Sequence, residues 1–462
     1  RWRACREEHP MDLLICGGLV VTGTGIRQAD IAIEGGKIVQ VESGIDPARA
    51  KRTVDATHLL VFPGFIDAHV HPVYEDNLEN ISQVAAYGGI TYQIHYAYIK
   101  PGQPMLDTIK WFRDTGLAHS MLDFSLHAGF FDAANQVPLI PQMFPLGLTS
   151  GKIFMAYAKL KWMTDDYWLT ATADMLASEG GLLMVHAENG LANDYWEDKY
   201  LVKEGRLQQE VFLQTNPDIL EAEAVHRAIR IAQVAGCPIY IVHNTAAANV
   251  EVIRHLKAEG RWVYAETCPH YLGLTEAVYQ RFGALAKVGP PIRRESDRLA
   301  LWQGLVDGTI DTIGSDHAAK AKKQDDDFFK AAYGSPECET MLEVVYDEGV
   351  NRGWISLPRL AQVMSENPAK IFGLWPKKGA LQVNSDADLV LFDPQQAHTI
   401  THSSQHTRTG YTLFDGRECL GKPVFSLQRG RVLLDHGEIR QTPGSAQFLP
   451  TQAGKVDPTT LR

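Results

Sequence analysis

The sequence predicts an α/β protein, a (β/α)8 TIM barrel carrying a small β-sandwich that both ends of the chain build together. Three observations predict it. Eight short apolar runs alternate with helical segments through the middle of the chain. Similar β-rich, glycine-punctuated segments appear near both ends. The first, fifth, sixth and eighth runs each place a histidine or aspartate at or just beyond the carboxyl end.

The N-terminal block contains Leu13–Val21, Ile31–Glu34 and Lys37–Glu42, with a turn at Gly35-Gly36. The same texture returns at Ala387–Phe392, Pro423–Gln428 and Arg431–Leu434. Neither block buries a core alone, so residues 11–62 and 376–440 are expected to form one β-sandwich. Residues 63–375 form the expected barrel. Its runs are Gly64–Val70, Ile90–Tyr96, Met121–His127, Leu148–Phe154, Leu182–His186, Ile239–His243, Trp262–Glu266 and Thr309–Ile313. Helical segments separate them, as at Pro217–Ala235, where apolar residues recur every three or four positions. Eight βα units over about 250 residues match a closed barrel. A doubly wound sheet is the competing architecture, usually with fewer strands. Residues 441–462 read as a C-terminal tail. Residues 1–10 read as an extension or expression remnant, since Met11 opens the first apolar segment.

Hydrophobic residues make up 45% of the 462 and charged residues 21%, the balance of a globular protein. The net charge of −11 and the lack of a long basic patch exclude nucleic acid or an anionic membrane as the main partner. No apolar run approaches the roughly 18 residues needed to cross a bilayer. The six cysteines are scattered with no CxxC pair, and Arg1 to Pro10 lacks a signal-peptide core. A reducing cytoplasm is the expected compartment.

Chemistry in such a barrel sits at the C-terminal ends of the strands. The first run ends in Asp67-Ala68-His69-Val70-His71 and the fifth in His186-Ala187-Glu188-Asn189. The sixth ends in His243-Asn244, and Ser315-Asp316-His317 follows the eighth. One such histidine is more often a core residue; four strands agreeing point to a metal site. His69 and His71 are two apart on a strand, so both face the barrel interior and can bind one cation. His186 and His243 can hold a second, and Asp316 completes the first site. Neutral imidazole suits zinc, with manganese, iron and cobalt open to the same ligands. Lys152 lies within the fourth run, where its amine either snorkels from the strand end or joins the site.

These motifs resemble the hydantoinase/dihydropyrimidinase family of cyclic amidohydrolases. The resemblance spans residues 12–440. It is carried by Pro63-Gly64-Phe65-Ile66-Asp67-Ala68-His69-Val70-His71, Val185-His186-Ala187-Glu188-Asn189, Glu266-Thr267-Cys268-Pro269-His270-Tyr271, Gly314-Ser315-Asp316-His317 and Ser385-Asp386-Ala387-Asp388. It implies two divalent metal ions and hydrolysis of a ring amide C–N bond in a hydantoin- or dihydropyrimidine-type substrate. The segment Gly151-Lys152-Ile153-Phe154-Met155-Ala156-Tyr157 resembles the one that carries the family's carboxylated lysine. Lys152 is thereby implied to take up CO2 as a carbamate (N6-carboxylysine) that bridges the two cations. A homotetramer or homodimer is implied as well.

Departures from the family pattern define the rival readings. Pro72-Val73 follow His71 where dihydroorotases carry an arginine, which argues against that activity. Pro290-Pro291-Ile292-Arg293 resembles allantoinases, so allantoinase is one alternative. A non-enzymatic dihydropyrimidinase-like scaffold protein is the other, disfavoured by retention of His69, His71, Lys152, His186, His243 and Asp316. Hydantoinases place an Asn-Gly pair where this chain has Tyr333-Gly334-Ser335-Pro336-Glu337.

Asp316 is the expected proton shuttle and Tyr157 the expected oxyanion donor, with a core aromatic as the alternative at Tyr157. Gly289 stands where hydantoinases carry a serine whose backbone binds the ring amide; it also fits a plain turn before two prolines. His270 and His317 either orient ligands from behind or are structural. Loop 319–339, with its charged run Lys320–Lys330, is a solvated loop or part of a lid. His95, Tyr96 and Tyr98 line the pocket or pack.

Overall fold

Buried β-branched and aromatic residues dominate the central strands, and a parallel sheet covered by helices is the architecture that hides them. The computed structural model describes residues 11–461. The expected extension at residues 1–10 lies outside the described residues. The N-terminal strands are β1 (Leu13–Thr22), β2 (Gly25–Glu34), β3 (Lys37–Glu42), β4 (Thr53–Asp55) and β5 (Leu60–Pro63). The barrel strands are β6 (Phe65–Val70), β7 (Ile90–Ile99), β8 (Asp123–Phe130), β9 (Ser150–Phe154), β10 (Leu182–His186), β11 (Ile239–Ile241), β12 (Val263–Thr267) and β13 (Thr312–Ile313). The chain ends with β14 (Leu389–Ile400), β15 (Arg417–Gln428), β16 (Arg431–Asp435) and β17 (Glu438–Ile439).

The two chain ends form one mixed nine-stranded sheet in the order β17-β16-β15-β14-β5-β1-β2-β3, with β4 on β1. β5 and β14 are the antiparallel join, pairing Pro63 with Leu389 and Leu60 with Phe392. Ile15, Val20, Ile31, Val61, Leu389, Leu391 and Leu427 share its core, so neither end buries its apolar face without the other. Gly35 and Gly36 both take positive φ (56° and 78°), as the two-residue hairpin between β2 and β3 requires.

β6 to β13 lie side by side in chain order, all parallel. A bridge between Val70 and His317 closes the barrel, with the His71 N–H donating to the His317 carbonyl at 3.0 Å. β13 has only two residues against the five expected. Asp311 explains this, because its carboxylate accepts from the Ala265 N–H (2.9 Å) and from Lys257 (2.6 Å). The outer helix Asp218–Ala235 buries Ala224, Val225, Ala228, Ile229 and Ala232 at helical spacing and ends at Gly236 in the left-handed region. A fully buried Val or Ile there stabilises by about 1.5–3 kcal/mol.

Two further features tie the parts together. Buried Lys378 meets Asp123 of β8 at 2.7 Å, Asp386 at 3.0 Å and Asp388 at 2.8 Å, linking the barrel to the chain's return into the mixed sheet. Residues 441–461 run along the barrel, with Gln447 and Leu449 pairing with the Phe124 backbone at 3.0 and 2.9 Å.

Candidate metal centre and active site

All barrel strands run the same way, so their carboxyl ends share one rim. β6 brings His69 to that rim and His71 one residue beyond it, β9 brings Lys152, and β10 ends in His186. His243 follows β11, and Asp316 follows β13. Tyr157 (φ 65°), His243 (φ 38°) and Asp316 (φ 52°) are held in the left-handed region despite carrying side chains. That conformation costs about 1–3 kcal/mol per residue and persists only where surrounding contacts impose it.

Asp316 Oδ1 lies 3.1 Å from His69 Nε2 and 2.9 Å from His71 Nε2, and the two Nε2 atoms are 3.2 Å apart. The other ring nitrogens are occupied. His69 Nδ1 meets Glu266 Oε1 at 2.5 Å, and His71 Nδ1 meets the Tyr98 hydroxyl at 2.8 Å. A carboxylate on Nδ1 keeps the proton there and leaves Nε2 as an electron-pair donor. Ligand atoms of His69, His243 and Asp316 all lie within 4.8 Å of one another. The His186 ring is 4.5 Å from that of His243, centroid to centroid, and its Nε2 is held by Glu188 at 2.7 Å, leaving Nδ1 free. Asp316 therefore contacts His69 and His71 directly and also lies near His243.

Burial holds the His71 imidazole down to about 4 and that of His243 well below its ordinary range. Both are neutral near pH 7, the form a metal ligand needs. Burial also disfavours charge on His69, but Glu266 and Asp316 outweigh it and raise its pKa to about 9. A cation at Nε2 would take the place of that proton.

Lys152 is 1% exposed, and its Nζ has no hydrogen-bond partner. The Nζ lies 5.1 Å from the Tyr96 ring centre and 5.3 Å from that of Phe154. The Tyr96 ring also stacks on His71 and meets His69 edge-on, each at 5.0 Å, so amine and imidazoles gather around one aromatic. A buried, unpartnered ammonium is costly. Burial accordingly lowers this amine to about 8. An unpartnered imidazole nitrogen at His243, a carboxylate and an orphaned amine in one place fit the binding of a divalent cation.

His71, Lys152, Tyr157, His186, His243, Gly289 and Asp316 line a single cavity of about 410 Å³, and His69 lies just behind it. The Tyr157 ring is 4.9 Å from that of His186, centre to centre. A Cβ at Gly289 would stand 2.6 Å from the Tyr157 hydroxyl and 2.9 Å from Tyr333, so a serine there would displace one of the rings. Part of loop 319–339, from Phe329 to Gly334, walls the same cavity.

Other side chains sort differently. His317 bonds Asp76 (3.1 Å) and accepts from the Glu337 and Cys338 N–H groups (both 3.2 Å), so it acts on His71 through its carbonyl alone. His270 is buried and bonds to none of the candidate ligands. Arg293, from the segment resembling allantoinases, is engaged with Glu221 at 2.7 Å and does not line the cavity. His95 is buried, while Tyr98 does line the cavity.

Sequence reasoning gave no role to Asp67, Glu188 or Glu266. Asp67 accepts from both the N–H (3.0 Å) and the hydroxyl (2.6 Å) of Ser315, tying the first barrel strand to the loop after the last. An acid at or beside a strand's carboxyl end was the available signal.

The Amidohydrolase family model matches residues 60–423. The chain is 37% identical to a D-hydantoinase of Ralstonia pickettii, over 95% of this chain and 98% of that protein. It is 33% identical to an L-hydantoinase of Paenarthrobacter aurescens, again over 95% and 98%. Among solved structures, a dihydropyrimidinase from Brevibacillus agri superposes with a TM-score of 0.90 at 31% identity, covering 96% of this chain and 99% of that one. A D-hydantoinase structure gives 0.91 at 35% identity, covering 96% and 100%. Full-length similarity at this level places the chain in the hydantoinase/dihydropyrimidinase group of the amidohydrolase family.

Proposed function

We propose that the protein is a cyclic amidohydrolase that opens the ring amide C–N bond of a hydantoin- or dihydropyrimidine-type substrate. The observation that carries this reading is the buried, unpartnered Lys152 amine on one cavity with His71, His186, His243 and Asp316, where the neutral His243 imidazole keeps an unpartnered Nδ1. His69, His71, His186, His243 and Asp316 would hold two divalent cations, zinc first by ligand type, with manganese, iron or cobalt as alternatives. The Lys152 amine, lowered to about 8 by burial, would take up CO2 with loss of a proton, and the carbamate so formed would supply the cations with an anionic ligand. When bound, the cations acidify water and polarise the ring carbonyl.

The chain's own residues do the rest. Asp316 takes the proton released as water adds to the carbonyl and returns it to the departing ring nitrogen. Burial keeps the Tyr157 hydroxyl protonated far above neutral pH, so it donates to the oxygen that gains charge. The Gly289 backbone holds the ring amide, with the Tyr157 and Tyr333 rings against it. Loop 319–339 serves as a partial lid.

We infer an oligomer, a homodimer or homotetramer. Leu191, Tyr195, Val202 and Leu207 are exposed apolar side chains close in sequence, a pattern that favours association. No helix among the described residues is long and apolar enough to cross a membrane. The five described cysteines are all free thiols, which fits a reducing cytoplasm.

Dihydrouracil, a 5-substituted hydantoin and allantoin, assayed side by side on a sample of measured metal content, test the function. Turnover of the first two supports it. Exclusive turnover of allantoin moves the protein to that activity. Inertness of metal-replete protein toward all three leaves only a scaffold role.

A further inference from the structure

The cavity over the candidate centre holds more positive charge than its own carboxylates balance. Besides Lys152, four lysines line it: Lys159, Lys287, Lys320 and Lys330. Lys159 pairs with Glu197 at 3.1 Å and Asp198 at 2.8 Å, and exposed Lys330 pairs with Asp327 at 3.0 Å. Lys287 and Lys320 make no ion pair among the described residues. Asp194 and Glu197, the remaining acids of the lining besides Asp316, gather at Lys159, and Glu197 acts on Lys287 only from beyond ion-pair distance.

Lys287 is 3% exposed, yet its ammonium donates only to the Phe329 carbonyl, at 2.7 Å. It sits 4.4 Å from the centre of the Tyr333 ring. That ring flanks Gly289 and lies 5.5 Å from Tyr157. One aromatic ring thus separates Lys287 from the residues that hold the substrate ring in the proposed reaction. The Lys320 ammonium lies 3.0 Å from the centre of the Tyr74 ring. The Tyr74 hydroxyl reaches that of Tyr98 (3.3 Å), which in turn holds His71. Lys322 stands behind both, donating to the Leu285 and Lys287 carbonyls at 2.9 and 3.0 Å, a third lysine without an ion pair.

Burial lowers Lys287 and Lys320 to about 8 each, so both remain cationic at pH 7. Enclosed ammonium groups without a direct ion pair cost stability, and a bound anion offsets that cost. Ring opening of a neutral substrate uses neither lysine. We propose that the preferred ring substrate bears a carboxylate on a short arm, received between Lys287 and Lys320. The proposal rests on the cyclic amidohydrolase reading and specifies its substrate class. A chain of net charge −11 repels such a substrate at long range, and the two lysines supply the opposite local field where the arm arrives.

The test is a matched pair, 5-(2-carboxyethyl)hydantoin and its neutral isostere 5-(2-carbamoylethyl)hydantoin, on the metal-replete enzyme. The expected ratio of kcat/KM is roughly tenfold or more in favour of the carboxylate at low salt, and it shrinks as salt is added. Lys287→Met and Lys320→Met bring the ratio toward unity, and Lys320→Glu inverts it. Lys320 is only partly buried, so its variants keep the test available if Lys287→Met does not fold. Equal rates on the two substrates overturn the proposal and leave the cyclic amidohydrolase reading standing. A tenfold ratio that survives both substitutions also overturns it. If neither ring opens, the underlying reading has failed first.

Discussion

Glu266 Oε1 stands 2.5 Å from His69 Nδ1, although the two residues are 197 apart in the chain. The same carboxylate accepts from the Tyr240 hydroxyl at 2.7 Å. The seventh barrel strand thereby fixes the orientation of a candidate ligand on the first. Glu266→Ala should lower metal affinity about 10–100-fold, because orienting partners of ligating histidines are worth that much. Competition with a chelator of known affinity measures it. Unchanged affinity would remove Glu266 from the site's architecture.

Lys152→Met replaces an orphaned buried amine with an apolar side chain of similar length. The protein should fold at least as well, since an unpartnered polar atom disappears. Its capacity for metal should fall below two ions per chain, and hydrolysis should be lost. In wild-type protein, carbon-13 NMR after incubation with labelled bicarbonate should show a carbamate signal that the variant lacks. Absence of that signal in active enzyme would sink the carbamate.

Tyr157→Phe removes one O–H and keeps the ring that lies against His186 and Tyr333. Loss of a single donor to a developing oxyanion typically costs about a hundredfold in kcat. Metal content should be unchanged. A kcat within twofold of wild type would return Tyr157 to a packing role.

Gly289→Ala places a methyl 2.6 Å from the Tyr157 hydroxyl and 2.9 Å from Tyr333. One of these rings must move. We expect kcat/KM to drop about tenfold or more while thermal stability changes little, since the clash falls on side chains facing a cavity. Wild-type kinetics would mean that the rings yield freely.

Lys378→Met leaves Asp123, Asp386 and Asp388 buried together without their shared cation. Removing one partner from a buried charge cluster costs about 3–5 kcal/mol. The midpoint of denaturant unfolding should fall accordingly, with the barrel and the mixed sheet lost together. A variant as stable as wild type would show that Lys37 on Asp386 and Arg429 on Asp123 suffice to hold the cluster.

The barrel was legible because its strands are short apolar runs, and the candidate ligands because His69, His71, His186 and His243 punctuate them. Lys152 became legible only through its neighbours Phe154, Met155, Ala156 and Tyr157, since an isolated lysine in a strand carries no signal of modification. Glu266 and Tyr98 were not legible as partners of His69 and His71, for their roles exist only once distant strands meet across the barrel. Thr309-Ile310-Asp311 looks like strand by composition. The Asp311 side chain, not its hydrophobicity, decides otherwise by bonding the Ala265 N–H. Lys287 gave no signal in sequence and Lys320 stood out only as part of a charged loop, because lack of an ion pair is a property of three-dimensional surroundings.

The barrel's last seam has almost no ladder of its own: a single bridge from Val70 to His317, reinforced by Asp67 on Ser315. His69 and His71 sit on one lip of that seam and Asp316 on the other. Any cation they share acts as a clasp, so stripping it with a chelator should speed amide exchange at His71 and Ser315 well before the helices loosen. In such an arrangement, scarcity of metal is felt as an unlatched protein as well as an idle one.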